Sequence, residues 1–312
     1  MRQTSILAPL ALLLALPSCS APVATCGLIP VADLPVTYTS GHRPVVTVTI
    51  AGKPVHMLVD SGTADSFLTP RAYDRLNLVG TRDFDIASSG VSGDMQDHKV
   101  IMENIMLGQT KLDNDVLILS NFGDVGNADH PGVDGLIGED VLEPFDVGWD
   151  LPDNRITLFA KPTCPPTQTP WPGDYAEVPF TFDETRAPML PYAVDGQTIP
   201  AILDSGAATT LLQQPDLAQA GVKPQAMASD RGLAGIGING RPAHVIEEQF
   251  SSVSIGAETY SDPWIMVGEV SFNGSTSVPE GGSSPLYLLL AGAVCCGAFL
   301  IRARSGFSVH RS

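Results

Sequence analysis

Two stretches of the chain, PVHMLVDSGTADSFLTP at residues 54–70 and IPAILDSGAATTLLQQP at 199–215, carry an apolar run straight into Asp-Ser-Gly. Asp60 and Asp204 stand 144 residues apart, and each is followed by a serine, a glycine and a second short apolar run. An apolar strand that ends on an acid and then breaks at Ser-Gly reads as a turn built around a carboxylate. One such turn is common and constrains little. Two in the same context point to two halves that share a plan and present a pair of carboxylates.

The halves can be laid over one another well beyond these motifs. VTIAGKPVHMLVDSGTADSFL meets PYAVDGQTIPAILDSGAATTLL with Gly52 over Gly196, and the triplets Ala51-Gly52-Lys53 and Asp195-Gly196-Gln197 predict hairpin turns that lead into the strands ending at each aspartate. ENIMLGQTKLDNDVLIL overlies FSSVSIGAETYSDPWIMV with Gly108 over Gly256. GLIGEDVLEPFDVGWDLPDNRITLF overlies LLLAGAVCCGAFLIRARSGFSVHR with Gly138 over Gly292 and Phe145 over Phe299. The apolar stretch 286–301 therefore reads as a buried strand, a short helix and a returning strand; with two glycines it is also short for a membrane span. Between the halves, KPTCPPTQTPWPGD at 161–174 is crowded with proline and lacks an apolar period, as an extended connector would. The expected division is a signal segment at 1–18, a tether at 19–35, a first lobe at 36–161, a linker at 162–174 and a second lobe at 175–312.

Composition narrows the class. Apolar residues make up 44% of the 312-residue chain and charged residues 16%, enough for a large core, while 30 glycines and 26 prolines fit strands and turns better than long helices. The net charge of -17 would repel a phosphate backbone, so no nucleic-acid partner is expected. The six histidines lack metal-ligand spacing, and neither His-Glu-x-x-His nor Gly-x-Ser-x-Gly occurs, so no metal or other cofactor and no serine-esterase chemistry is expected. GVDGLIGED is acidic and glycine-rich without the oxygen-ligand spacing of a calcium loop, which leaves Asp134 and Glu139 structural or exposed.

The N-terminus, MRQTSILAPLALLLALPSCS, has one basic residue, Arg2, an apolar run from Ile6 to Leu16 and then small residues, which reads as an export signal. Leu16-Pro17-Ser18-Cys19 resembles a bacterial lipobox, with Pro17 a departure. On that likeness Cys19 is the expected lipidation site, and the chain an exported periplasmic or outer-membrane-anchored lipoprotein; ordinary cleavage near Ala21 is the other reading. Cys26 and Cys164 are expected to form a disulfide in that oxidising compartment, and Cys295 and Cys296 to be buried thiols.

The repeated order of a strand ending in Asp-Ser-Gly, glycine-rich hairpins and an apolar-apolar-Gly strand before a short helix resembles the retropepsin-like and pepsin-like aspartic proteases, with both lobes in one chain. The resemblance implies an all-β, two-lobed β-barrel fold with a pseudo-twofold internal repeat and a few short helices. It implies an aspartic endopeptidase in which Asp60 and Asp204 share one proton, activate a water and protonate the leaving nitrogen. By the same likeness Ser61, Gly62, Ser205 and Gly206 support the pair, and Ile137, Gly138, Ala291 and Gly292 pack beneath it. Ala291 is smaller than the residue usual there. The lids over substrate would be hairpins at 87–97 and 232–242, with Gly90, Val91, Gly93, Gly235, Ile236 and Gly237 as candidates; neither contains a tyrosine. A peptide or protein substrate and an active monomer follow, since one chain brings both aspartates. The alternatives are a non-catalytic peptide-binding envelope lipoprotein with the same fold, or a purely structural one.

Overall fold

The repeat is built from tight hairpins whose turns the sequence dictates. Ala51 and Gly52 have φ of 49° and 77°, and Asp195 and Gly196 have 49° and 78°. Two successive left-handed residues match the right-handed twist of the flanking strands, and glycine at the second position makes that affordable. The first turn joins Pro44–Ile50 to Lys53–Val59 and the second joins Pro188–Val194 to Gln197–Leu203, all as antiparallel pairs. In this computed structural model the described residues are 27–90, 93–102, 104–112, 116–120, 132–162, 175–183, 186–223, 226–227, 233–236, 242–268, 289–290, 298–302 and 306–310.

In each lobe the aspartate-bearing strand then gains a parallel neighbour. Gly135–Ile137 runs beside Lys53–Val59 with Leu136 opposite Leu58, and Leu289–Leu290 runs beside Gln197–Leu203 with Leu290 opposite Leu203. Parallel strands enclosed on both faces need continuous apolar sequence, which Met57-Leu58-Val59 and Ala201-Ile202-Leu203 provide. Both lobes contribute to one large apolar cluster that includes Val46, Met57, Trp149, Leu203, Leu212 and Val267. Within and just after the stretch 286–301 the described residues form the strands Leu289–Leu290 and Ala298–Arg302, and among the described residues no helix is long and apolar enough to cross a membrane.

A third sheet of six strands joins the lobes. Its order is Ile29–Pro35, Arg155–Ala160, Phe145–Asp150, Ala298–Arg302, Gly306–His310 and Tyr175–Val178. The central pair is the join: Phe145–Asp150 of the first lobe lies antiparallel to Ala298–Arg302 of the second, with Trp149 opposite Phe299. Residues 29–35 correct the expected tether at 19–35. They form an edge strand on Arg155–Ala160, with Ala32 and Leu34 turned inward and buried. Pro30 and Pro35 obscure the alternation in sequence, yet an edge strand tolerates residues that cannot donate to the ladder. Cys19, Cys26, Cys164, Cys295, Cys296 and residues 163–174 of the linker lie outside the described residues.

Asp134 is structural, at the point where the parallel strand begins. Its buried carboxylate binds the Arg75 guanidinium and accepts the His56 N–H at 3.0 Å, while its own N–H donates to the His56 carbonyl at 2.7 Å. The next residue, Gly135, has no room for a side chain: a Cβ there would overlap the Phe67 carbonyl oxygen and press on the Met57 thioether. Gly135→Ala is therefore expected to destabilise the fold by about 1–3 kcal/mol, the usual cost of overpacking, read as a lower urea midpoint.

Candidate active site

The two Asp-Ser-Gly turns meet at the boundary between the lobes and exchange hydrogen bonds. Ser61 N–H donates to Ser205 Oγ and Ser205 N–H donates to Ser61 Oγ, both at 3.1 Å. Each hydroxyl also donates onward across the boundary, Ser61 Oγ to the Leu203 carbonyl at 2.7 Å and Ser205 Oγ to the Val59 carbonyl at 2.8 Å. Both serines are buried, so every donor and acceptor in this ring is satisfied within the protein. A side chain that both donates and accepts, and is short enough to lie between two backbones, is what this position demands.

The glycines let the turns approach. Gly62 N–H donates to Asp60 Oδ1 at 2.9 Å, and Gly206 N–H donates to Asp204 Oδ1 at 2.8 Å. A Cβ on Gly62 would clash with all three carboxyl atoms of Asp204, and one on Gly206 with those of Asp60. Each glycine thus gives way to the acid of the other lobe, and the two carboxyls lie close together.

Their surroundings oppose ionisation. Burial raises the affinity of both groups for protons, and for Asp60 the neighbouring charge of Asp204 raises it further. The two differ in backbone support. Asp204 Oδ1 also accepts Ala207 N–H at 3.0 Å, whereas Thr63 N–H, at the matching position, reaches only the Asp60 main-chain carbonyl, at 3.5 Å. Two N–H donors favour the carboxylate form of Asp204 more than one favours that of Asp60.

The Ile137–Gly138 segment binds the first aspartate turn from behind. Asp60 N–H donates to the Ile137 carbonyl at 2.9 Å, Gly138 N–H to Ser66 Oγ at 3.0 Å, and Glu139 N–H to the Thr63 carbonyl at 2.9 Å. The counterparts in the second lobe, Ala291 and Gly292, lie outside the described residues. So do the lid candidates Val91 and Gly237. Gly90 and Gly93 pair at the end of the hairpin Thr81–Gly90 and Gly93–Ile101, which is longer than the expected 87–97; Gly235 and Ile236 pair with Ala243 and Pro242 in Leu233–Ile236 and Pro242–Gln249.

Two features escaped the sequence reading. Arg186 reaches from the second lobe to the first, donating to the Ala64 carbonyl at 3.0 Å and lying 3.5 Å from Asp65 Oδ1. The signal for it was present: the segments before Pro44 and Pro188 repeat at the spacing of the aspartates, with a left-handed residue, His42 or Arg186, at the same place in each. The second is the proton affinity of Glu139, which the sequence left as structural or exposed. The residue is buried, and burial, aided by Glu143, pushes its carboxyl up to about 8. Among the described residues no cluster of three or more His, Cys, Asp or Glu is placed to hold a metal ion.

Residues 46–141 match the family model described as aspartyl protease. No curated protein sequence matches the chain. Among solved structures, the aspartic proteinase from Irpex lacteus superposes with a TM-score of 0.52 at 12% identity, over 89% of this chain and 96% of that one. At that identity the likeness establishes the fold alone, a two-lobed all-β architecture.

Two outcomes are expected on stability. Ser61→Ala would leave Ser205 N–H and the Leu203 carbonyl buried without these partners, lowering stability by about 1–3 kcal/mol, and a thermal-unfolding cycle with Ser205→Ala should be non-additive because both hydroxyls serve one network. Glu139 binds its proton more tightly in the folded state than in the unfolded one, so its contribution is most favourable below its ordinary value of 4.5 and is lost as pH rises through about 8. Glu139→Gln should flatten that part of the stability profile, measured by denaturation across the interval.

Proposed function

From a chain that carries the aspartyl protease pattern over residues 46–141 and the aspartic proteinase fold over both lobes, we propose that it is an aspartic endopeptidase working through Asp60 and Asp204. The observation that carries this reading is the close approach of two carboxyls, Asp204 buried and Asp60 partly buried, each delivered by its own lobe and locked by the reciprocal serine bonds. Two acids so close cannot both ionise readily, so over a range of pH the pair holds a single proton. That state contains a base and an acid together, which is what hydrolysis of an amide without a metal requires.

The difference in backbone donors favours Asp204 as the carboxylate and Asp60 as the proton carrier. A water bound to both carboxyls loses a proton to Asp204 as its oxygen attacks the peptide carbonyl carbon, while Asp60 gives its proton to the carbonyl oxygen. A tetrahedral diol results. The proton on Asp204 then passes to the amide nitrogen, the C–N bond breaks, and a diol proton returns to Asp60 as the new carboxyl forms. Atoms and charge balance, and the pair ends as it began. The scheme has the substrate lie along the boundary between the lobes, with the hairpins Thr81–Ile101 and Leu233–Gln249 as the candidate lids.

The same reading takes the active species as a monomer, because both aspartates belong to one chain. It keeps the N-terminal segment as an export signal with Cys19 as the lipid-bearing residue, on the basis of the sequence pattern alone. Cleavage of a diverse peptide mixture from about pH 3 to 8, beside Asp60→Asn and Asp204→Asn, tests the proposal. Each variant should lose turnover on the order of 10²–10⁴-fold while remaining folded. A folded wild-type chain that binds peptides without cutting them would shift the assignment to a non-catalytic peptide-binding protein.

A further inference from the structure

Arg43 places a buried cation at a repeat position that the second lobe leaves neutral. It closes a turn in which Thr39 N–H donates to the Arg43 carbonyl at 3.0 Å and Arg43 N–H donates to Thr39 Oγ1 at 3.2 Å. The second lobe repeats the turn, with Asp183 N–H on the Ala187 carbonyl at 3.1 Å and Ala187 N–H on Asp183 Oδ1 at 2.9 Å. The strands beyond these turns begin at Pro44 and Pro188. In the first lobe Val45 pairs with Leu58 and Val46 with Met57, so the same register carried past the ladder sets Arg43 across from Asp60. In the second lobe Met189 pairs with Ile202, which sets Ala187 across from Asp204.

The two positions are equivalent under the repeat and both are buried, at 8% and 0% exposure, yet one carries a guanidinium and the other a methyl group. The side chain of Arg43 stays at the lobe boundary. Its Nε lies 3.9 Å from where a Cβ of Gly41 would be, and that point is 3.0 Å from the Ala208 Cβ of the second lobe.

We propose that Arg43 is a positioning residue for the dyad, its buried guanidinium setting the range of pH over which the two carboxyls together hold a single proton. A guanidinium stays protonated at any working pH, so its field is constant. It favours the ionised form of both acids and opposes the burial that raises them. The other charged groups at this boundary have named partners of their own, Arg186 on Ala64 and Asp65, Asp140 on Ser66 Oγ at 2.6 Å and Asp183 on Ala187 N–H, while Glu139 is buried behind the first aspartate turn. Removing the guanidinium should therefore raise both steps of the dyad's titration, the loss of its first proton and the loss of its second.

The inference rests on the reading of Asp60 and Asp204 as a coupled dyad, but its test does not need turnover. Carboxyl-carbon NMR titration of the full chain labelled at aspartate, assigned with Asp60→Asn and Asp204→Asn, reads the pair directly in the wild type, Arg43→Lys, Arg43→Met and Arg43→Gln. Both steps should move to higher pH in the two neutral variants and stay near the wild-type positions in Arg43→Lys. If peptides are cut, both limbs of the kcat/KM profile should move the same way. Unmoved steps in folded Arg43→Met or Arg43→Gln would overturn the inference, as would Arg43→Lys behaving like the neutral variants. If both neutral variants fail to fold while Arg43→Lys folds, the charge serves stability and the inference is overturned. A normal wild-type titration without peptide cleavage would instead count against the peptidase assignment and leave Arg43's effect on the dyad to be read from the variants.

Discussion

The reciprocal bonding of Ser61 and Ser205 is the contact on which the site depends. Four hydrogen bonds run between two short turns, and each hydroxyl serves as acceptor for one backbone group and donor to another. Because the partners are main-chain atoms, the network fixes the turns themselves rather than the tips of flexible side chains. The carboxyl contact follows from that placement. Without it, the two acids would separate, since their mutual repulsion and the loss of hydration both favour distance.

The remainder of the molecule holds those turns at the right separation. The six-stranded sheet joins the lobes through Phe145–Asp150 and Ala298–Arg302, and it shares one apolar core with the strands that end at the aspartates. Arg186 adds a polar brace close to the dyad, gripping the Ala64 carbonyl that also accepts the Asp140 N–H. The approach is close enough that glycine is required on both sides, because Gly62 and Gly206 each occupy space that a methyl group would take from the opposite acid. Symmetry governs the backbone, while the charges are one-sided. Arg43 faces Ala187 across the repeat, Thr39 faces Asp183, and Ala207 donates to its aspartate where Thr63 does not.

Local chemistry explains which features could be read in advance. The hairpins at Ala51-Gly52 and Asp195-Gly196 were legible because glycine after a turn former has few other uses, and the aspartate turns because they occur twice. The strand Ile29–Pro35 was missed since its two prolines break the usual pattern, and only the edge of a sheet not yet assembled makes them acceptable. Glu139 was taken as structural or exposed beside a glycine-rich run; its burial depends on how the segment after Gly138 docks on Thr63 and Ala64.

The sequence by itself determined the doubled architecture, the two acids and the Ser-Gly pairs beside them, because each is encoded within a few residues and then repeated. Tertiary structure alone decided that the serines bond each other rather than their own turns, that the two lobes share a sheet, and that one lobe buries an arginine at the repeat position where the other buries an alanine. These relations join residues that lie 142 to 146 positions apart in the case of the serines. No local preference encodes such contacts; they exist because burying both lobes' apolar strands in one core leaves the polar turns only each other as partners.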